Sequence, residues 1–177
     1  RYLNADEERR IHMALNDAEP RLKAIVTIAL DTGLRRGELL SLEWTNVDFE
    51  HGIITIEAAK AKSKKTRYVP LTNRVKTILN AWQAVTKQDG LVFPGKDGNK
   101  MHHFKRSWQS LLSTANIESF RFHDLRHHYA STLVMNGVDL YTVSELLGHS
   151  SVQVTQRYAH LAPEYKNRAA AILDRRN

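Results

Sequence analysis

The sequence predicts an α+β fold, predominantly helical, with one small antiparallel sheet. Three observations predict it. Apolar residues recur at helical spacing over most of the 177 residues. One β-branched run, Ile53-Ile54-Thr55-Ile56, stands near a second short extended stretch at Arg67–Leu71. No internal repeat, low-complexity tract or linker interrupts the chain, so its length reads as a single domain.

Ala5–Asp17 reads as an amphipathic helix, with Asp6, Glu7 and Glu8 in the first turn, where the helix dipole favours negative charge. Pro20 suits the first position of a second helix whose apolar face is Leu22, Ile25, Val26, Ala29 and Leu30, and Gly33 suits its end. A brief helix follows around Glu38–Leu42, then a polar loop through Asn46 and Asp48. His51-Gly52 is a turn before the strand Ile53–Glu57, and the basic segment Ala58–Thr66 connects it to the strand Arg67–Leu71 as a hairpin. Val75, Ile78, Leu79 and Trp82 mark another helix. After the turn residues Phe93-Pro94-Gly95 and Lys96-Asp97-Gly98, helices are expected over Met101–Ala115, His123–Asn136, Asp139–Leu147, Ser151–Ala159 and Pro163–Arg176.

Composition sets broad limits. Hydrophobic residues make up 42% and charged residues 25%, a globular balance. The absence of cysteine excludes disulfides and thiolate chemistry. No apolar stretch has the length of a membrane span and no signal peptide is visible, which points to a soluble protein of the cytoplasm. The first residue is Arg rather than Met, as expected of a piece of a longer protein. The net charge is +7, and it is unevenly placed. Ala58–Gln88 holds eight basic residues (Lys60, Lys62, Lys64, Lys65, Arg67, Arg74, Lys76 and Lys87) and no acid. Such a surplus points to a polyanion, most commonly nucleic acid; the alternative is a set of lysines that keeps a sheet edge from pairing.

The densest polar cluster is His123-Asp124-Leu125-Arg126-His127-His128. His123, Arg126 and His127 share one helix face. A His pair at this spacing can bind zinc, but the Glu of an HExxH motif is missing. An Arg and a His on one face instead suit a phosphate, the Arg as a bidentate fork and the His as donor or proton carrier. Elsewhere, Thr32-Gly33-Leu34-Arg35-Arg36-Gly37-Glu38-Leu39 places arginines at a helix boundary, and Leu146-Leu147-Gly148-His149-Ser150-Ser151 is followed by Tyr158, nine residues after His149. Each segment alone also fits an ordinary cap, salt bridge or surface residue.

In this order the segments resemble the tyrosine site-specific recombinases, also called phage integrases. The resemblance runs from Arg35 to Tyr158 and implies the catalytic-domain fold of that family, with an N-terminal core-binding domain outside this chain. It makes Arg35 and Arg126 the catalytic arginines, Glu38 the acid supporting Arg35, and Tyr158 the nucleophile. His123 takes the place of the general base and His149 that of the third-position His or Trp. Counting back from Val69-Pro70-Leu71, the hairpin lysine falls on Lys62; a slip of two residues would put it at Lys60 or Lys64. Lys60, Lys64, Lys65 and Arg67 are the expected DNA contacts around it. Where the common pattern has Thr after Leu-Arg-His, this chain has His128.

The implied reaction is transesterification at a DNA phosphodiester, for integration or excision of a phage or mobile element. The tyrosine would form a 3′-phosphotyrosyl link and free a 5′-hydroxyl, with Lys62 as the acid that protonates the leaving oxygen. The two arginines would clamp the phosphate, so the resemblance implies neither metal nor other cofactor. The implied partners are double-stranded DNA, further copies of the chain in a tetramer on the recombining duplexes, and an accessory DNA-bending protein. A type IB topoisomerase, a non-enzymatic DNA-binding module and a metal-dependent nuclease using His123 and His127 are the competing readings.

Overall fold

In the computed structural model, the described residues are 1–58, 65–86, 89–101 and 104–162. Helix α1 (Ala5–Asn16) starts at Asn4, whose side chain accepts the Glu7 backbone N–H while the Glu7 carboxylate accepts that of Asn4. This reciprocal pairing satisfies donors that a helix start leaves open. Helix α2 (Pro20–Thr32) begins with proline at its first position and ends at Gly33 in the left-handed region, φ 60°. Helix α3 (Arg36–Leu39) is a single turn, and a 3₁₀ turn, Trp44–Asn46, leads into the sheet.

Strands β1 (Val47–Asp48), β2 (Ile53–Ile56) and β3 (Arg67–Pro70) form an antiparallel sheet in that order, with Ile54 opposite Val69 and Ile56 opposite Arg67. The predicted hairpin is therefore present, and β1 adds a third strand where a loop was expected. The rest of the described chain is α4 (Asn73–Ala84), α5 (Lys105–Thr114), α6 (Asp124–Met135), α7 (Leu140–Leu147) and a 3₁₀ helix, Val152–Leu161. Helix α5 starts four residues later than the periodicity suggested: Lys100 pairs back with Pro94, and Met101 beside it is buried in the core. The expected helix Pro163–Arg176 and the centre of the basic hairpin lie outside the described residues.

The last of the described helices corrects a further expectation, since it is 3₁₀ rather than α. Its inward residues explain why. Thr155 and Tyr158 are buried and Val152 and Leu161 half-buried, a spacing of three that matches three residues per turn.

Two apolar clusters organise the domain. The larger joins α1, α2, α4, α5 and the sheet around Ile25, Ile28, Leu39, Ile54, Leu79 and Phe93. The smaller lies beneath α6, α7 and the 3₁₀ helix and consists of Ala130, Val134, Val143, Leu147 and Tyr158. Each fully buried Val or Leu contributes about 1.5–3 kcal/mol. Tyr158 thus belongs to a core, with its hydroxyl at the edge of a cleft.

Candidate active site

A cleft of about 380 Å³ is lined by Arg35, His123, Arg126, His149, Arg157 and Tyr158, among others. It draws on four places in the chain: the start of α3, the start of α6, the end of α7 and the 3₁₀ helix. A larger cavity of about 810 Å³, walled by Phe104, Trp108 and Phe122, contains none of these six side chains.

Arg35 stands immediately before α3. Its backbone N–H donates to Glu38 Oε2 at 2.9 Å, and its guanidinium donates to Glu38 Oε1 at 2.8 Å and to the Gly148 carbonyl at 3.0 Å. Glu38, 5% exposed, also receives both terminal nitrogens of Arg67, at 3.1 and 2.7 Å. Burial pushes the Glu38 carboxyl up, but the hydrogen bonds and charge of Arg67 and Arg35 outweigh it and hold the group below its ordinary range.

Arg67 is therefore a correction. Expected on the DNA-facing hairpin, it is only 8% exposed and donates its third bond, from Nε, to the Leu146 carbonyl. Along β3 the side chains alternate, so Arg67 shares the inner face with Val69 while Tyr68 points out. Lys65 is exposed, as expected, whereas Lys60, Lys62 and Lys64 lie outside the described residues.

Arg126, 5% exposed, spans the site from α6 by donating to the Gly33 carbonyl at 2.8 Å and the Leu147 carbonyl at 2.6 Å. Burial, and then the neighbouring charge of Arg35, pull its pKa down to about 9, which leaves it cationic at neutral pH. Arg35 and Arg67 thus share one carboxylate, Glu38, while Arg126 bonds to carbonyls, and the cleft carries excess positive charge suited to an anion. Gly148 makes this packing possible. Its φ is 61°, and a β-carbon there would sit 2.8 Å from Arg67 Cδ.

His123 directly precedes α6, where Asp124 turns back to accept the Arg121 backbone N–H at 2.8 Å. Burial and then Arg126 lower the His123 pKa. His149 is held at Nδ1 by the Thr155 hydroxyl at 2.8 Å, and burial, followed by the charges of Arg126 and Arg35, depresses it to about 4. It is therefore a neutral imidazole at physiological pH. Tyr158 is 6% exposed; burial raises its pKa, with Arg157 and Arg126 working against the rise. Its hydroxyl lies 2.5 Å from His127 Nδ1, a contact that the sequence did not indicate, although the shared face of His123 and His127 was legible. Of the expected site residues, Arg35, His123, Arg126, His149 and Tyr158 converge on the cleft, and Glu38 lies behind it. Among the described residues, no group of three or more His, Asp or Glu side chains is arranged to hold a metal ion.

This mostly helical frame with its small sheet is the catalytic-domain fold of the tyrosine recombinases. The catalytic domain of bacteriophage HP1 integrase superimposes with a TM-score of 0.73 at 28% identity, over 96% of this chain and 93% of that one. XerH recombinase bound to its difH substrate before cleavage gives a TM-score of 0.80 at 25% identity, over 97% of this chain and 54% of that one. Residues 1–165 match the phage integrase family, and the chain belongs to it. The integrase of Salmonella phage P22 is 34% identical over 187 residues, covering 98% of this chain and 47% of the phage protein. A XerC-like tyrosine recombinase of Caldanaerobacter subterraneus subsp. tengcongensis is 32% identical, covering 96% and 53% respectively. The chain spans about half the length of these curated relatives.

Proposed function

We propose that this chain is the catalytic domain of a site-specific DNA recombinase that breaks and rejoins DNA through a 3′-phosphotyrosyl intermediate, for integration or excision of a mobile element. One observation carries the reading: the guanidinium groups of Arg35 and Arg126 line a cleft, backed by the single carboxylate of Glu38, that also presents His149 and the hydroxyl of Tyr158. That arrangement suits an anion under attack by a phenol. Arg35 and Arg126 stabilise the charge that develops on the non-bridging oxygens, and neutral His149 offers them a hydrogen bond. Tyr158 attacks phosphorus, and the 5′ oxygen leaves with a proton from Lys62 on the basic hairpin.

The substrate in this reading is duplex DNA, bound by four copies of the full-length protein on two recombining sites, with an accessory bending protein in some reactions. A core-binding domain precedes the catalytic one in the same protein, and the complex works in the cytoplasm or nucleoid. No helix among the described residues is long and apolar enough to cross a membrane. The full-length protein, mixed with a duplex of its recombination site nicked near the scissile phosphate, should give a covalent DNA adduct on a denaturing gel. Tyr158→Phe should abolish the adduct and leave DNA binding nearly unchanged. An adduct that persists in that variant refutes the assignment. Metal-chelator sensitivity would favour a nuclease, and relaxation of supercoiled plasmid by monomers without recombinant product would favour a topoisomerase.

A further inference from the structure

The partner of the Tyr158 hydroxyl is His127, not the His123 to which the family resemblance gives the role of base. The 3₁₀ helix brings the phenol to the first turn of α6, where Oη lies 2.5 Å from Nδ1 of His127, and the two rings are inclined at 47° with centroids 6.0 Å apart. His123 packs edge-on against the other side of the His127 ring, with centroids 5.2 Å apart and planes at 87°. His127 is therefore held between the histidine at the helix start and the tyrosine, and it lines both the arginine cleft and a second hollow behind Tyr158.

We propose that His127 aims Tyr158 and takes its proton during attack on the phosphodiester, with His123 supporting the ring of His127. The proposal rests on the reading of Tyr158 as nucleophile. In the step, the Oη–H bond breaks and the proton moves to the His127 ring nitrogen. The freed oxygen pair forms the bond to phosphorus, and the P–O5′ bond breaks with its electron pair passing to the 5′ oxygen. That oxygen takes a proton from the hairpin lysine or from water. Rejoining runs the same transfers backwards.

Charge and burial around the ring agree with the task. The groups facing it are His123 just before its helix and Asp124 on it, Arg157, Tyr158 and His160 on the 3₁₀ helix, and Arg1 and Tyr2 at the chain start. Burial first, then His123, depress the His127 pKa, so the ring is neutral and able to accept a proton at physiological pH. Asp124 pulls the other way.

Single-turnover adduct formation by the full-length protein on the nicked duplex tests this. His127→Ala should slow it about a hundredfold or more, the usual weight of general base catalysis. Added imidazole should recover at least about tenfold of that loss. His127→Asn keeps a polar partner for the hydroxyl without useful basicity. It should stay slow while binding DNA normally, and its rate should keep rising with pH up to about 9, towards the tyrosine's own range, where the parent protein levels off. Wild-type rates in either variant would overturn the proposal, as would a His127→Ala variant that folds, binds DNA and ignores imidazole. If His127→Ala fails to fold, the rate and pH profile of His127→Asn decide alone. An adduct formed by Tyr158→Phe would instead bring down the nucleophile reading, so the two failures are distinguishable.

Discussion

Arg126 and Gly33 are 93 positions apart in the chain, yet the guanidinium donates to the glycine carbonyl at 2.8 Å while its other terminal nitrogen holds Leu147 at 2.6 Å. One side chain thus ties the ends of α2 and α7 to the start of α6, and its charge is fixed by the backbone ahead of any substrate.

Arg126→Lys should therefore be a poor replacement despite the retained charge. An ammonium cannot span both carbonyls with the fixed fork of a guanidinium, so one buried acceptor loses its partner at a cost of about 1–3 kcal/mol. Adduct formation should fall by roughly 100–1,000-fold, as for loss of one preorganised donor. Urea denaturation and single-turnover kinetics read the two effects. Near-native values in both would refute the bridging role.

Glu38 should matter mainly for stability. Its two oxygens serve Arg35 and Arg67, and the Arg67 pair is buried. Glu38→Ala leaves cations without their counter-charge and should cost about 3–5 kcal/mol, the range for breaking one side of a buried pair. Chemical denaturation measures it. A loss below about 1 kcal/mol, the scale of an exposed pair, would show that water replaces the carboxylate easily.

Gly148→Ala should destabilise the domain by about 1–2 kcal/mol from the left-handed backbone alone. Displacement of Arg67 by the new methyl adds to this, because the contact would be with Cδ rather than with a flexible tip. Thermal unfolding checks the sum. Gly98→Ala offers a comparison, since its φ of 80° is also positive while a β-carbon there would meet open space. Equal losses in the two variants would show that Arg67 gives way without cost.

Acid should weaken the fold before the carboxylates titrate. Burial is the largest cause depressing His12, His123, His127, His128 and His149, the last to about 4. In the unfolded chain these groups protonate near about 6.5. Between the two values the unfolded state binds more protons, so stability rises with pH in that window. The contribution is present above about 6.5 and is lost as pH falls through the folded values. Tm should drop steadily from about pH 7.5 to about pH 5. His128→Leu should flatten the curve, since that ring is 5% exposed and faces Glu8 at 3.7 Å. A flat curve in the parent protein would contradict the neutral state of these rings in the fold.

The order of the segments, through their resemblance to the tyrosine recombinases, singled out Arg35, His123, Arg126, His149 and Tyr158, which the fold brings to one cleft, and Glu38, which lies behind it. Arg67 was misplaced because counting charge ignores which face of a strand a residue occupies. Its spacing of two from Val69 carried the signal. The 3₁₀ helix was legible too, in the period of three through Val152, Thr155, Tyr158 and Leu161, but short amphipathic runs default to an α reading. Strand β1, two residues long, has no pattern to read. The meeting of His127 with Tyr158 depends on packing between elements 31 positions apart, which no local period reports.

The arginine contacts have a consequence for how the domain comes apart. The carbonyls of Gly33, Leu146, Leu147 and Gly148 belong to the closing turns of α2 and α7, the groups a helix normally leaves to solvent. Here the cations of the cleft serve as the C-caps. Neither helix end can fray without releasing a guanidinium of the cleft, so amide exchange at these ends should be as slow as in the helix centres. The chemistry should then be lost with the global transition and not ahead of it.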